Sequence, residues 1–219
     1  MVRQMFRVVV WVGVALALAV PAMAQSAPTV SPRLGARVFG VFEWQTVTAS
    51  KTFDAVTGTS TVSGFGGGAE VQRVWRGAFL RGSVTRLNTT GERIFVFDNQ
   101  VYPLGVPLEL SLTPVEVSAG WRFKPFAARG IVPYVGAGAL FLKYSETASG
   151  DDASDKVSES YRGFSVFGGL EVPVWRRVSA GAELGWRSAT VPDPRGALES
   201  FGENNLGGVT MRVMLSIRK

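Results

Sequence analysis

The stretch VTMRVMLSI, residues 209–217, decides the fold. Val209, Met211, Val213, Leu215 and Ile217 point one way, while Thr210, Arg212, Met214 and Ser216 point the other. Strict alternation of this kind is the period-2 signature of a β-strand with two different faces. Working backwards, Ala180, Ala182, Leu184 and Trp186 oppose Gly181, Glu183, Gly185 and Arg187. Phe164, Val166, Gly168, Leu170 and Val172 oppose Ser165, Phe167, Gly169 and Glu171. Near the start, Val38, Gly40, Phe42 and Trp44 oppose Arg37, Phe39, Val41 and Glu43.

Four further segments are rougher. Residues 64–73 set Ala69 and Val71 against Gly68, Glu70 and Gln72, and residues 77–86 set Leu80, Gly82 and Val84 against Arg81, Ser83 and Thr85. Between 107 and 123 the apolar residues change phase, from Leu108, Leu110 and Leu112 to Val115, Val117, Ala119 and Trp121. The change falls at Thr113-Pro114, which predicts a bulge, because a proline within a strand belongs at a bulge or an edge. Residues 132–144 are apolar or glycine on both faces, and the pattern does not orient them. Long polar connections at about 46–62, 88–106, 146–162 and 189–204 alternate with short turns at about 74–77, 124–131 and 175–178. The sum is an all-β, eight-stranded antiparallel up-and-down barrel, with no helical pattern of consequence after the first residues. Even strand number, short turns on one side and long loops on the other are the form of an outer-membrane barrel, and closure removes the exposed edges.

Residues 1–24 read as a secretory signal peptide. Arg3 and Arg7 precede the apolar run Val8–Val20, and Ala22-Met23-Ala24 supplies a cleavage site. Export through the Sec pathway in a Gram-negative-type bacterium is expected, leaving 25–33 as an N-terminal lead and 34–219 as the barrel.

Composition removes most chemistry. Among 219 residues there is no Cys and no His, so Ser-His hydrolysis, His-ligated zinc, thiolate catalysis and disulfides are all excluded. A carboxylate pair remains available for acid–base work, with Glu171 and Glu183 on neighbouring strands, but a structural role is the expectation. No metal ion or cofactor is called for. The acidic loop carrying Glu146, Asp151, Asp152, Asp155 and Glu159 reads as solvated chain. The glycine runs lack the following helix of a nucleotide loop. Formal charge is +6, spread without a continuous stripe, which argues against nucleic acid.

The polar faces decide what the apolar faces meet. They carry Glu43, Glu70, Arg81, Glu109, Glu116, Arg122, Glu171, Glu183, Arg187 and Arg212, with glycines between them and with Arg in place of Lys. The narrow interior of an eight-stranded barrel is just filled by side chains, and buried carboxylates there require guanidinium partners. Glu70, Glu116, Glu171 and Glu183 with Arg81, Arg122, Arg187 and Arg212 are expected to form a salt-bridged lumen. Val38, Phe42, Leu80, Val117, Leu184, Val213 and Leu215 are expected to face lipid. Trp44, Trp121, Trp175 and Trp186 are expected at the membrane interfaces, where aromatic girdles form.

Three motifs carry a family resemblance: Pro133-Tyr-Val-Gly-Ala-Gly-Ala139, Phe167-Gly-Gly-Leu-Glu-Val-Pro173 and Ala180-Gly-Ala-Glu-Leu-Gly-Trp-Arg187. With these the chain resembles the superfamily of outer-membrane protein A transmembrane domains and opacity proteins. The resemblance covers the whole mature chain in architecture and residues 130–218 in motif. It implies that Tyr134, Gly136 and Gly138 face the lumen while Val135, Ala137 and Phe141 face lipid. It also implies contact with outer-membrane lipid, a monomeric state, and engagement of the barrel-assembly machinery. Many such barrels end in an aromatic residue, whereas this chain ends Leu215-Ser-Ile-Arg-Lys219. Barrel enzymes such as lipid A deacylases and omptin proteases resemble the chain only in architecture, and their chemistry relies on a His.

Three functions stay open on this reading. One is a non-enzymatic structural or surface-interaction barrel with a plugged lumen and four long loops that contact a surface or host ligand. The second is a barrel transporting small apolar solutes through an upper lumen lined by Phe39, Val41 and Phe167. The third is a soluble lipocalin-like periplasmic carrier with its apolar faces turned inward.

Overall fold

The computed structural model describes residues 34–97, 100–126, 130–148 and 156–218; the signal segment, the lead 25–33 and Asp151, Asp152 and Asp155 lie outside them. Eight strands follow one another: β1 (Gly35–Val47), β2 (Thr61–Gln72), β3 (Ala78–Phe97), β4 (Gln100–Arg122), β5 (Val132–Ala148), β6 (Val157–Pro173), β7 (Val178–Ala189) and β8 (Gly208–Arg218). Each pairs antiparallel with its neighbours in sequence, and β8 pairs with β1 to close the barrel. Closure gives every strand two partners within the membrane band and so satisfies the backbone hydrogen bonds that lipid cannot.

Side-chain direction follows the alternation read from the sequence. The odd residues of β8 point out and the even ones in; Leu184 is 63% exposed, Val117 61% and Val213 46%. Exposed apolar side chains of this size on strand after strand form a belt, which reverses the arrangement of a soluble carrier. The lipocalin-like reading is therefore set aside. Val38, Leu80 and Leu215 stand in the belt, and Phe42 packs on the same outer face between Trp44 and Phe65.

Aromatic side chains bound the belt at both edges. Trp44, Phe42 and Phe65 meet near the long-loop edge, as do Phe164 and Trp186 with ring centres 5.4 Å apart. At the short-turn edge Trp75 packs edge-on against Trp121 at 5.8 Å, and Trp175 projects into the surroundings. Arg86, Lys143 and Arg162 point outward just beyond the belt at the long-loop edge.

The structure corrects four readings of the sequence. First, β4 has no bulge at Thr113-Pro114: its register with β5 runs unbroken from Leu108↔Ala148 to Arg122↔Tyr134. Leu108, Leu110, Leu112, Pro114, Glu116 and Ser118 all face inward, so the pattern changed because the lumen turns from apolar to ionic along the strand. Second, Glu109 consequently points outward, apart from the inward charges. Third, residues 88–106 are not a loop. They extend β3 and β4 as a hairpin beyond the belt, with an irregularity between Glu92 and Ile94. Fourth, the first connection contains a helix, α1 (Ser50–Thr57), and the last contains a short turn of helix, α2 (Ala197–Ser200).

Helix α1 was hidden because it lacks a capping residue of its own at Ala49. Glu203, from the connection between β7 and β8, supplies the cap. Its carboxylate accepts from the Lys51 and Thr52 amides at 3.1 and 2.9 Å and from the Thr52 hydroxyl at 2.7 Å. An anion at a helix N-terminus satisfies amides that no intrahelical carbonyl reaches.

Candidate functional site

β5 settles in the orientation the sequence left open, with Tyr134, Gly136, Gly138 and Leu140 inward and Val135, Ala137 and Phe141 outward. The lumen that results is filled in layers. At the short-turn end lies an ionic tier. Glu70 accepts from Arg37 at 2.8 Å, Arg122 at 3.0 Å and Arg81 at 3.1 Å. Glu171 accepts from Arg122 at 2.7 Å and from Arg37, with Arg218 3.8 Å away.

A second ionic tier gathers around Arg212, which donates to Glu43 and Glu116 at 2.7 Å each and to Glu183 at 3.0 Å. Arg187 donates to Glu116 at 2.7 Å, to Gln45 at 2.8 Å and to Glu43. Arg81 joins the tiers through its 2.6 Å contact with Glu183. The Arg81 guanidinium also lies 4.8–5.5 Å from the ring centres of Phe39, Phe79, Tyr134 and Phe167. Cation–π attraction strengthens when the cation is desolvated.

Each of the carboxylates Glu43, Glu70, Glu116, Glu171 and Glu183 is held by at least two of the guanidinium groups Arg37, Arg81, Arg122, Arg187 and Arg212. That density of partners offsets the cost of burying charge. All eight residues expected in the lumen network therefore stand in the lumen and are paired there. Sequence reasoning missed Arg37 and Glu43 as members. Their signal was present, since both share the inward parity of Phe39 and Val41 on β1. Glu171 and Glu183 are not a mutual pair: the register sets Glu171 opposite Gly181 and Glu183 opposite Gly169, and different arginines hold them.

The aromatic rings between the tiers rest on glycines. Phe39 lies across the ladder from Gly68, Phe79 from Gly120, Tyr134 from Gly169 and Phe167 from Gly136. Phe39, Val41 and Phe167 thus belong to a cluster with Phe79, Tyr134 and Met214 nearer the short turns, and not to the upper lumen where the transport reading placed them. The upper lumen is apolar through other residues, among them Leu87, Leu108, Leu110, Leu112, Leu140 and Leu142, covered by Phe53 of α1 and Leu206.

This geometry has family counterparts. Residues 12–211 match the family described as outer membrane protein beta-barrel domain. The chain belongs to that family. As an outer membrane beta-barrel protein it spans the outer membrane with its strands, with short turns at one edge and long connections at the other. Neisserial surface protein A (NspA) has a similar structure, with a TM-score of 0.53 at 11% identity over 84% of this chain and 96% of that one. The attachment invasion locus protein Ail of Yersinia pestis, solved with the heparin analogue sucrose octasulfate, gives 0.51 at 12% identity over 84% and 99%. OprG of Pseudomonas aeruginosa gives 0.50 at 9% identity over 84% and 96%. At these identities the likeness is one of fold. None of the curated proteins matches the chain in sequence.

Proposed function

We propose that this outer membrane beta-barrel protein is a non-conducting, non-enzymatic surface-interaction barrel whose working parts are its extracellular hairpins and loops. The observation that carries the reading is the ion-pair network, which links β1, β2, β3, β4, β6, β7 and β8 through the middle of the lumen. An ion or solute passing through would have to separate several buried pairs at once, each costing several kcal/mol. The same pairing favours a closed lumen over the transport reading. Engagement of every carboxylate of the network by guanidinium groups supports the non-enzymatic reading.

The β3–β4 hairpin is the surface on offer. Beyond the belt it carries Phe95, Phe97, Tyr102 and Leu104, all about half exposed or more, with the Phe95 and Phe97 rings stacked. Tyr102 lies directly across the ladder from Phe95 on the same face. An exposed apolar patch with a polar surround is the usual mark of an interaction site. Ail, a protein of similar fold, was solved in complex with a heparin analogue, which is in keeping with a ligand-binding role for this chain. Outer-membrane lipid, the assembly machinery during biogenesis and one surface or host ligand are the partners proposed, with a monomer as the working unit and the Sec pathway as the route.

Planar-bilayer recording tests the central point. The purified chain should give no step currents, and sustained unitary conductance in the wild type would overturn the reading.

A further inference from the structure

We propose that the cavity at the extracellular end of the lumen is a binding site for a small amphiphile with one cationic head group. The cavity holds about 400 Å³, within the range of small-molecule sites. Its floor is apolar: Phe53 from α1, Leu108 and Leu110 from β4, and Leu206 are all buried there, with Leu198 of α2 along the side. Below the floor the lumen is packed by Leu87, Leu112 and Leu140 and then closed by the ionic tiers, so a ligand enters and leaves from outside.

The rim sets the sign of the head group. Tyr144 donates its hydroxyl to Glu146 at 2.9 Å, and Tyr161 donates to Glu159. Tyr144 pairs with Glu159 across the β5–β6 ladder, which brings both carboxylates to one wall. The lining carries Glu146, Glu159 and Asp193 against Arg93 and Arg195, and Arg195 is bonded to Asp193 at 2.8 Å. The balance is negative by one charge, with Arg195 attracted to Glu159 as well as bonded to Asp193. Carboxylates beside aromatic rings suit a quaternary or primary ammonium, while the floor takes an apolar chain. A fatty carboxylate would set its charge against Glu146 and Glu159, and a polymer exceeds the volume. This site goes beyond the surface role proposed above, and its occupancy does not depend on whether the lumen conducts.

The test is calorimetric titration of the full chain in phosphatidylcholine nanodiscs, with empty nanodiscs subtracted and hexyltrimethylammonium as probe. Hexanoate and 1-hexanol, with the same chain length, serve as comparators. The cation should bind saturably at one site and hexanoate at least about tenfold more weakly. The double variant Glu146→Gln with Glu159→Gln should lower the cation's affinity about tenfold, the scale of one charge-assisted contact. Leu198→Trp, a loop change that fills the cavity, should abolish binding while leaving the heat-modifiable gel mobility of the folded barrel intact. No saturable heat from the cation, hexanoate binding as tightly as the cation, or full affinity in the double variant would each overturn the proposal.

Discussion

The Arg81 guanidinium donates to Glu183 at 2.6 Å across the lumen, and this one bond joins the two ionic tiers. Neither residue neighbours the other along the sheet, for Arg81 is on β3 and Glu183 on β7. Replacing Arg81 by Met should destabilise the barrel by about 3–5 kcal/mol, since a buried carboxylate loses a partner. Adding Glu183→Gln should recover part of the loss, because the group left behind is no longer charged. Urea unfolding of both single variants and the double variant, folded in lipid vesicles, measures the coupling. Strictly additive losses would show that the bond contributes nothing of its own.

Gly136 is occupied in effect by its neighbour. A Cβ there would overlap Cζ of Phe167, so the ring must move. Gly136→Ala should cost about 1–3 kcal/mol through overpacking, and Phe167→Leu in the same chain should relieve it. Gly40, on the lipid face with nothing within 4 Å of its Cβ position, is the control, and Gly40→Ala should be close to neutral. Equal melting temperatures for the two alanine variants would contradict the proposed seating of the ring.

Leu184 stands in the lipid belt between Ala182 and Trp186. Leu184→Arg should lower folding stability in vesicles by about 2–4 kcal/mol, the cost of arginine on the lipid face near the midplane. Val213→Arg should behave alike. Wild-type refolding of both would reverse the assignment of faces.

Glu203 holds α1 from a different connection. Glu203→Ala removes a helix cap worth about 1 kcal/mol without touching the barrel. Hydrogen exchange at the Lys51 and Thr52 amides should speed up, while the β1 and β8 amides stay protected. Unchanged exchange at Lys51 and Thr52 would mean that α1 is held by the packing of Phe53 alone.

The sequence by itself determined which way the side chains point. Alternation in β1, β6, β7 and β8 separates Leu184 from Glu183 and Val213 from Arg212, because the strand period of two needs no tertiary information. It also placed the short turns, and through the number and parity of its segments it determined the barrel. The same rule misled where the composition of a face changes along one strand, as in β4, where Leu112 and Glu116 share the lumen and mimic a slip in phase, and it was silent in β5, where both faces are apolar or glycine.

Tertiary structure decided who meets whom. Some pairs follow from register, such as Arg37 with Glu70 or Glu43 with Arg212, which lie directly opposite across a ladder. Arg81 with Glu183 and Arg212 with Glu116 join strands on opposite sides of the ring, and they exist only because β8 returns to β1. Likewise α1 is a helix because Glu203 and the apolar mouth receive it, and the cavity above Leu110 exists because α1 and α2 line the mouth of a closed ring. A periodic pattern records the environment on each side of a strand. It carries no record of the contacts that closure makes across the space between strands.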